Sequence, residues 1–350
     1  MNILIFSGGE GTRLWPISRK AAPKQFEVLK GNTSTLQMAI DRVEPWGMEH
    51  IFVSTNANYV DLVKKQVPQF LSDHILSEPS KRDLSAAVGL SLMRLKKQGI
   101  GGTIAILWAD HFMDRVDVFQ EALRKADSLV QKNPNQFVFL AEEPRFANHN
   151  LGWIHVGKSV EDDAYEFKGW KYRPELLKCQ EMFESGDWMW NPGYFVFDID
   201  FVLGLYKKFL PSMYIALEDM VNDEQKLEHE YENLESISFD NGIVEKVEPS
   251  QAVVLKVDLG WSDPGTLYAL KEALTKKQDE NYAKGNVILH ETSDSFILND
   301  EKEKLVATVG LEGMIVVNTK DALLVCHKDK VPEIKELLRK MGGEGLEKYL

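Results

Sequence analysis

Directly after its first apolar run the chain reads Phe6-Ser7-Gly8-Gly9-Glu10-Gly11-Thr12-Arg13-Leu14, and Pro23-Lys24-Gln25-Phe26 follows shortly. Three glycines in four positions let the backbone approach a ligand with no Cβ in the way. Successive free N–H groups in such a turn form an anion cradle. A Walker loop would end in Gly-Lys-Ser/Thr, where this chain has Arg13-Leu14. A dinucleotide fingerprint would place its third glycine where Leu14 stands. The segment therefore reads as a phosphate loop of another kind, with Arg13 and Lys24 as its cations. A guanidinium bridges phosphate oxygens as a fork, and an ammonium adds a compact charge. The plain alternative is a tight strand–helix turn with two solvated basic residues; two cations beside three glycines favour phosphate.

If one phosphate is to attack another, two anions must meet, and a divalent cation relieves the repulsion. Magnesium takes oxygen ligands and keeps several waters, so one or two carboxylates at strand ends suffice. Asp110 follows the apolar run 103–109, and Asp263 lies in Gly260-Trp261-Ser262-Asp263-Pro264-Gly265. Each could instead cap the helix that follows it. Asp258 competes with Asp263 for the second place.

Short apolar runs alternate with amphipathic stretches through the first part of the chain. Residues 3–7, 51–55, 74–76, 103–109 and 137–141 read as buried strands. Residues 36–43, 59–70, 85–97 and 118–132 read as helices between them. That alternation implies βαβ units and a mostly parallel sheet with helices on both faces, binding its ligand at the carboxyl ends of the strands. Beyond residue 151 the pattern is mixed: strands at 152–156, 164–171 and 189–197, helices at 174–185 and 198–209, and a last core strand at 252–258. The acidic run 222–235 reads as a solvated helix face. Residues 276–284 read as a linker. Closely spaced strands at 286–289, 296–298, 305–309, 314–317 and 323–326 then make a small β appendage, closed by a helix over 332–340.

Bulk properties narrow the partners. The chain has 350 residues, 44% of them hydrophobic, which supplies a sizeable core. A net charge of -13 argues against a nucleic-acid partner, since that binding needs surplus Lys and Arg. Cys179 and Cys326 have no metal-ligand spacing and read as packing residues in a reducing compartment. The apolar start at residues 3–6 is too short for a signal peptide, and no stretch reaches the length of a membrane span. A cytoplasmic protein with no membrane partner is expected.

The glycine loop through Arg19, together with Pro23-Lys24-Gln25-Phe26, resembles the signature of the mannose-1-phosphate guanylyltransferases, the GDP-mannose pyrophosphorylases of the sugar nucleotidyltransferase superfamily. The resemblance continues through Ala109-Asp110-His111, Trp190-Asn191-Pro192-Gly193, the segment 239–246 and Gly260-Trp261-Ser262-Asp263. It reaches the appendage at Val309-Gly310-Leu311 and at 316–321, so it covers nearly the whole chain.

That resemblance implies a Rossmann-like α/β nucleotidyltransferase domain over residues 1–280 and a left-handed β-helix-like domain over 281–350, the latter offering a surface for a homodimer. It implies transfer of a guanylyl group from GTP to mannose-1-phosphate with Mg2+, giving GDP-mannose and pyrophosphate. Arg13, Lys24 and Asp110 would be catalytic, and Asp110 and Asp263 would be the metal pair. Gly8, Gly9, Gly11, Thr12, Glu78 and Asp83 would bind the nucleotide. Gly152, Arg173 and Asn191 would bind the sugar phosphate, although Asn-Pro-Gly is also an ordinary turn. Two departures bear on specificity. Where the family has Glu-Lys-Pro, this chain has Tyr172-Arg173-Pro174, which keeps the positive charge but loses the acidic neighbour. Where the family has Arg-Asn-Thr-Ala-Pro, Asp83 and Leu84 replace Asn and Thr. Asp83 could accept from guanine's N1–H and amino group or cap a helix; the residues leave both open. They also leave open another sugar or base, or a catalytically silent nucleotide-binding homologue. A fused isomerase domain, present in some relatives, is not expected.

Overall fold

The computed structural model describes every residue except Glu10, Asp162 and Gln278, and its chain forms two compact units. The first comprises Met1–Gly8, Ala39–Ala109 and Met113–Trp261; the second comprises Gly9–Met38, Asp110–Phe112 and Ser262–Leu350.

The first unit is built on nine strands: β1 (Asn2–Phe6), β2 (Ile51–Asn56), β3 (Ile75–Glu78), β4 (Thr103–Trp108), β5 (Phe137–Glu142), β6 (Gly152–Glu161), β7 (Ala164–Tyr172), β8 (Trp188–Asp198) and β9 (Ala252–Val257). Their order is β3-β2-β1-β4-β8-β5-β9-β7-β6, with β6 also paired to β8. β1 to β4 are mutually parallel, as are β5 and β9, while β7 and β8 run against the rest. The sheet is thus mixed, with most of its strands sharing one direction. Consecutive residues are buried along β1, β4 and β5, which requires cover on both faces.

Alternate residues show what covers each face. Leu4, Phe6, Ile104, Ile106, Phe137, Phe139 and Phe195 cluster with residues of α3 (Asp83–Lys97), α6 (Ile199–Phe209) and α7 (Pro211–Asn222). Tyr194, pointing the other way, meets Phe119 of α4 (Val116–Lys132) at 5.4 Å between ring centroids. Helices α1 (Thr35–Asp41), α2 (Val60–Gln66), α5 (Leu176–Ser185), α8 (Glu224–Glu230) and the short α9 (Phe239–Gly242) complete the set before residue 262. The acidic run lies partly as expected: Glu224, Glu228, Glu230 and Glu232 are exposed, but Leu227 and Tyr231, four apart on one face, are buried.

In the second unit α10 (Leu267–Leu274) precedes β10 (Tyr282–Lys284), β11 (Val287–His290), β12 (Phe296–Asn299), β13 (Val306–Val309), β14 (Met314–Asn318) and β15 (Leu323–His327), and α11 (Ile334–Met341) follows. β10, β12 and β14 pair in parallel, β11 and β13 do likewise, and β15 adds antiparallel to β14. Parallel pairing of strands with no helix between them makes the chain coil like a β-helix. Asn299 and Asn318 stand in register, and the Asn318 amide donates to Asn299 Oδ1 at 2.7 Å across the coil. The expected linker at 276–284 needs correction at its end, because Tyr282–Lys284 is the coil's first strand, with Tyr282 stacked on Phe296.

Candidate active site

In the second unit the glycine loop turns at Gly11, whose φ of 64° is left-handed. A Cβ there would lie 2.9 Å from Ser18 Oγ and 3.0 Å from Lys24 Cβ, so glycine is required on both counts. The Ser18 hydroxyl donates to the Gly11 carbonyl at 2.5 Å, and Thr12–Leu14 closes a 3-10 turn. Gly9 has open space where a Cβ would stand.

Lys24 is buried, and its Nζ lies 2.5 Å from Asp110 Oδ2 and 3.6 Å from Asp263 Oδ1. Burial pulls the Lys24 ammonium down, but the carboxylates of Asp110 and then Asp263 outweigh it and raise its pKa above the ordinary lysine value. Burial would raise Asp110; Lys24, then His111, outweigh it and hold this carboxyl well below the usual range. Exposed Arg13 reaches the same place: the Cβ position of Gly265 is 3.4 Å from an Arg13 terminal nitrogen and 3.3 Å from Asp263 Oδ1. Neither aspartate caps a helix. The cap position of α4 is Arg115, and that of α10 is Thr266, whose hydroxyl accepts from Ala269 N–H. Asp258, in the first unit, pairs with Arg115 at 2.5 Å.

In the first unit Glu78 closes β3. Its Oε2 accepts from the buried Tyr231 hydroxyl at 2.8 Å, and its Oε1 lies 3.7 Å from where a Cβ on Gly8 would stand. Burial pushes the Glu78 carboxyl up to about 7, against the Tyr231 hydrogen bond and Lys81. Asp83 opens α3 with a left-handed φ of 61° and accepts from Leu84 N–H at 2.8 Å. Asp240 has its pKa raised to about 6, chiefly by burial, with Glu245 and Asp83 adding like charge.

Asn191, Gly152 and Tyr172 stand side by side across β8, β6 and β7. Asn191-Pro192-Gly193 is a bulge within β8, where Trp190 pairs Glu142 and Tyr194 pairs Leu140. Asn191 Oδ1 accepts from Gly193 N–H at 3.0 Å, and its amide nitrogen lies 3.6 Å from where a Cβ on Gly152 would stand. Gly193 has φ 78°, and a Cβ there would lie 2.6 Å from the Trp108 indole nitrogen. Arg173, also left-handed at 46°, donates its N–H to the Leu151 carbonyl at 3.1 Å and lays its guanidinium 5.0 Å from the Tyr172 ring centroid.

A nucleotidyl transferase family model matches residues 2–280, and a model described as mannose-P isomerase/GMP-like beta-helix domain matches 285–341. The chain belongs to the nucleotidyl transferase family. A putative mannose-1-phosphate guanylyltransferase of Vibrio cholerae is 31% identical across 99% of this chain and 75% of its own length. The alginate biosynthesis protein AlgA of Pseudomonas aeruginosa is 30% identical across 98% of this chain and 72% of its own. A crystal structure of mannose-1-phosphate geranyltransferase from Thermus thermophilus superposes with a TM-score of 0.88 at 27% identity, covering 97% of this chain and 99% of that one. The expected resemblance to mannose-1-phosphate guanylyltransferases is borne out, as is the expected fold.

Three residues of this nucleotidyl transferase went unread in the sequence. Tyr231 sits inside the acidic run. Glu142 ends β5 and is fully buried, accepting from Leu259 N–H at 2.8 Å and Trp261 N–H at 3.0 Å. Arg145 pairs with Glu142 at 3.3 Å and donates to the Trp261 carbonyl at 2.6 Å. Glu142 carried a usable signal, since it ends an apolar strand just as Glu78 does.

Proposed function

We propose that this nucleotidyl transferase moves a guanylyl group from GTP to mannose-1-phosphate, giving GDP-mannose and pyrophosphate. The observation that carries the chemistry is the convergence of Lys24, Asp110, Asp263 and Arg13. The choice of substrates rests on the names of the relatives. A phosphate oxygen of the sugar phosphate forms a bond to the α-phosphorus of GTP, and the bond to the pyrophosphate oxygen breaks, with no covalent enzyme intermediate. Gly8, Gly9, Gly11 and Thr12 offer N–H donors to the triphosphate, and Glu78 and Asp83 meet the nucleotide. Arg13 and Lys24 stabilise charge on the α-phosphate and the leaving pyrophosphate, an effect worth about 3 kcal/mol per well-placed donor. Asn191 donates its side-chain amide to the sugar, Gly152 leaves room beside it, and Arg173 meets the sugar phosphate.

The residues present fit a magnesium ion. Asp263 Oδ1 is buried with no hydrogen-bond partner among the described residues, and it shares Lys24 with Asp110. Oxygen donors in this number suit an ion that otherwise takes water and phosphate. Asp110 and Asp263 would hold it, and when bound it would neutralise phosphate charge.

The β appendage leaves Ile288, Leu305 and Val309 exposed, which supports a homodimer through residues 281–350. Among the described residues no helix is long and apolar enough to cross a membrane, and Cys179 and Cys326 are free thiols, as suits the cytoplasm.

The test is pyrophosphate release with Mg2+, crossing GTP, ATP, UTP and dTTP with mannose-, glucose- and fucose-1-phosphate. Release that requires GTP and mannose-1-phosphate is expected. Turnover of another pair would keep the chemistry and discard the substrates. No release with any pair, from folded protein that binds GTP, would overturn the catalytic reading.

A further inference from the structure

The Glu78–Tyr231 pair has a feature that the proposed reaction does not by itself explain. Tyr231 is fully buried, and its hydroxyl donates to one Glu78 oxygen while the other takes no hydrogen bond among the described residues. That second oxygen faces the α-carbon of Gly8, at the start of the glycine loop. A carboxylate with one oxygen held and one open is suited to accept from a ligand donor.

We propose that Tyr231 is a positioning residue for nucleotide choice, its phenol holding Glu78 Oε2 so that Oε1 is presented to the hydrogen-donating edge of guanine. This rests on the reading of Glu78 as a nucleotide contact. Guanine offers N1–H and an amino group on that edge. Adenine presents an acceptor at N1, and uracil and thymine flank one N–H with two carbonyls. An ionised carboxylate therefore accepts two donors from guanine and meets a lone pair on each competitor.

The surroundings say why a phenol is needed there. Burial works against the charge on Glu78, and Tyr231 and then Lys81 work for it. The Tyr206 hydroxyl and Arg94 also act electrostatically on Tyr231. Arg94 donates to the Ser77 carbonyl and faces Glu224 at 3.6 Å, so its charge is already engaged. Tyr206 donates to the Ser85 carbonyl at 2.7 Å. Tyr231 is thus the sole group among these that donates a hydrogen bond to Glu78. Without it the carboxyl titrates higher and is a neutral acid over more of the neutral range, which makes it a poor acceptor for guanine.

The test compares wild type with Tyr231→Phe, Glu78→Gln and the double variant, measuring pyrophosphate release from GTP at saturating mannose-1-phosphate between pH 6 and 9. Tyr231→Phe should raise the KM for GTP about fivefold to tenfold at pH 7, as expected for loss of one charge-assisted hydrogen bond, with kcat within about twofold. Its penalty should shrink at pH 9, where Glu78 ionises unaided, and the acid limb of kcat/KM should move to higher pH. In the Glu78→Gln background the same change should leave the profile where it is. An equal loss at pH 7 and pH 9, a loss carried by kcat, or a Tyr231→Phe effect that persists in the double variant would overturn the proposal. If Tyr231→Phe does not fold, Glu78→Gln still decides: a wild-type acid limb that survives it removes Glu78 from nucleotide choice. Absence of wild-type turnover with GTP and mannose-1-phosphate at every pH would instead defeat the proposed reaction, so the two failures separate.

Discussion

Lys24 satisfies two carboxylates at once, so removing it does more than delete a charge. In Lys24→Ala, Asp110 would lose the ammonium that holds its carboxyl down, and its pKa would rise. Turnover should fall at least about a hundredfold, and Asp110→Asn should do the same. Stability carries a second signature. The folded Asp110 carboxyl is depressed, so its contribution is present above its unfolded value near 4 and is lost as pH falls through the folded value. Urea unfolding should show wild type losing stability between about pH 4 and pH 2, with that slope flattened in Lys24→Ala. Full turnover in either variant would remove the cluster from the chemistry. Gly11→Ala tests the loop beside it. A left-handed φ costs an alanine about 1 kcal/mol before any clash, and the Ser18 and Lys24 side chains must also shift. A midpoint unchanged in urea would show that the turn is not as tight as its distances indicate.

At the scale of elements, the ends of strands do most of the positioning. Glu142 at the end of β5 takes two backbone N–H groups from the Leu259–Trp261 turn, and that turn leads straight to Asp263. Glu142→Ala would leave both buried donors unpaired, at about 1–3 kcal/mol each, while Glu142→Gln keeps an acceptor and should lose less. Denaturant midpoints rank the two variants, and equal losses would argue that packing rather than hydrogen bonding holds the turn. Much of this layer was legible beforehand. Glycines after an apolar run, and Asp110 and Asp263 after two others, declare ligand loops because a parallel sheet binds at its carboxyl ends. Strand β8 was legible from its apolar run, but its reversed direction and the bulge at Asn191–Gly193 were not, since Asn-Pro-Gly also reads as an ordinary turn. What escaped had competing local signals. Helix α7 starts at Pro211, which reads as a breaker although proline suits a first helical position. Tyr231 is masked by the acids on either side, and only its spacing of four from Leu227 gives away a buried face. The strand-end position of Glu142 is visible in the sequence, but its partners are backbone N–H groups of Leu259 and Trp261 that only the fold brings to it.

For the molecule as a whole, chain order is a poor guide to which residues depend on one another. The second unit gathers the glycine loop from Gly9 onward, Lys24, Asp110 and Asp263 with the entire β appendage. Leu14, Trp15 and Phe112 share one apolar cluster with Leu267, Phe296, Val331, Ile334 and Met341. The Trp15 indole N–H donates to the Tyr349 carbonyl at 2.7 Å, and Arg19 donates to the same carbonyl and pairs with Asp321 at 2.7 Å. The appendage therefore supports the segment that carries Arg13 and Lys24, and it should matter to turnover even though none of its own residues is assigned to the reaction. A chain ending after Lys340 makes the test sharp, because it keeps every strand and loses residues 341–350, with Met341, Tyr349 and Leu350 of that cluster and the Tyr349 carbonyl. Uncovering Met341's neighbours costs about 2 kcal/mol and unpairing the Trp15 and Arg19 donors about 1–3 kcal/mol more. Urea midpoints should fall accordingly, and the KM for GTP should rise more than that for mannose-1-phosphate, since the loosened segment meets the triphosphate. A shortened chain with the wild-type midpoint and both KM values unchanged would make the appendage a separate module that merely shares the polypeptide.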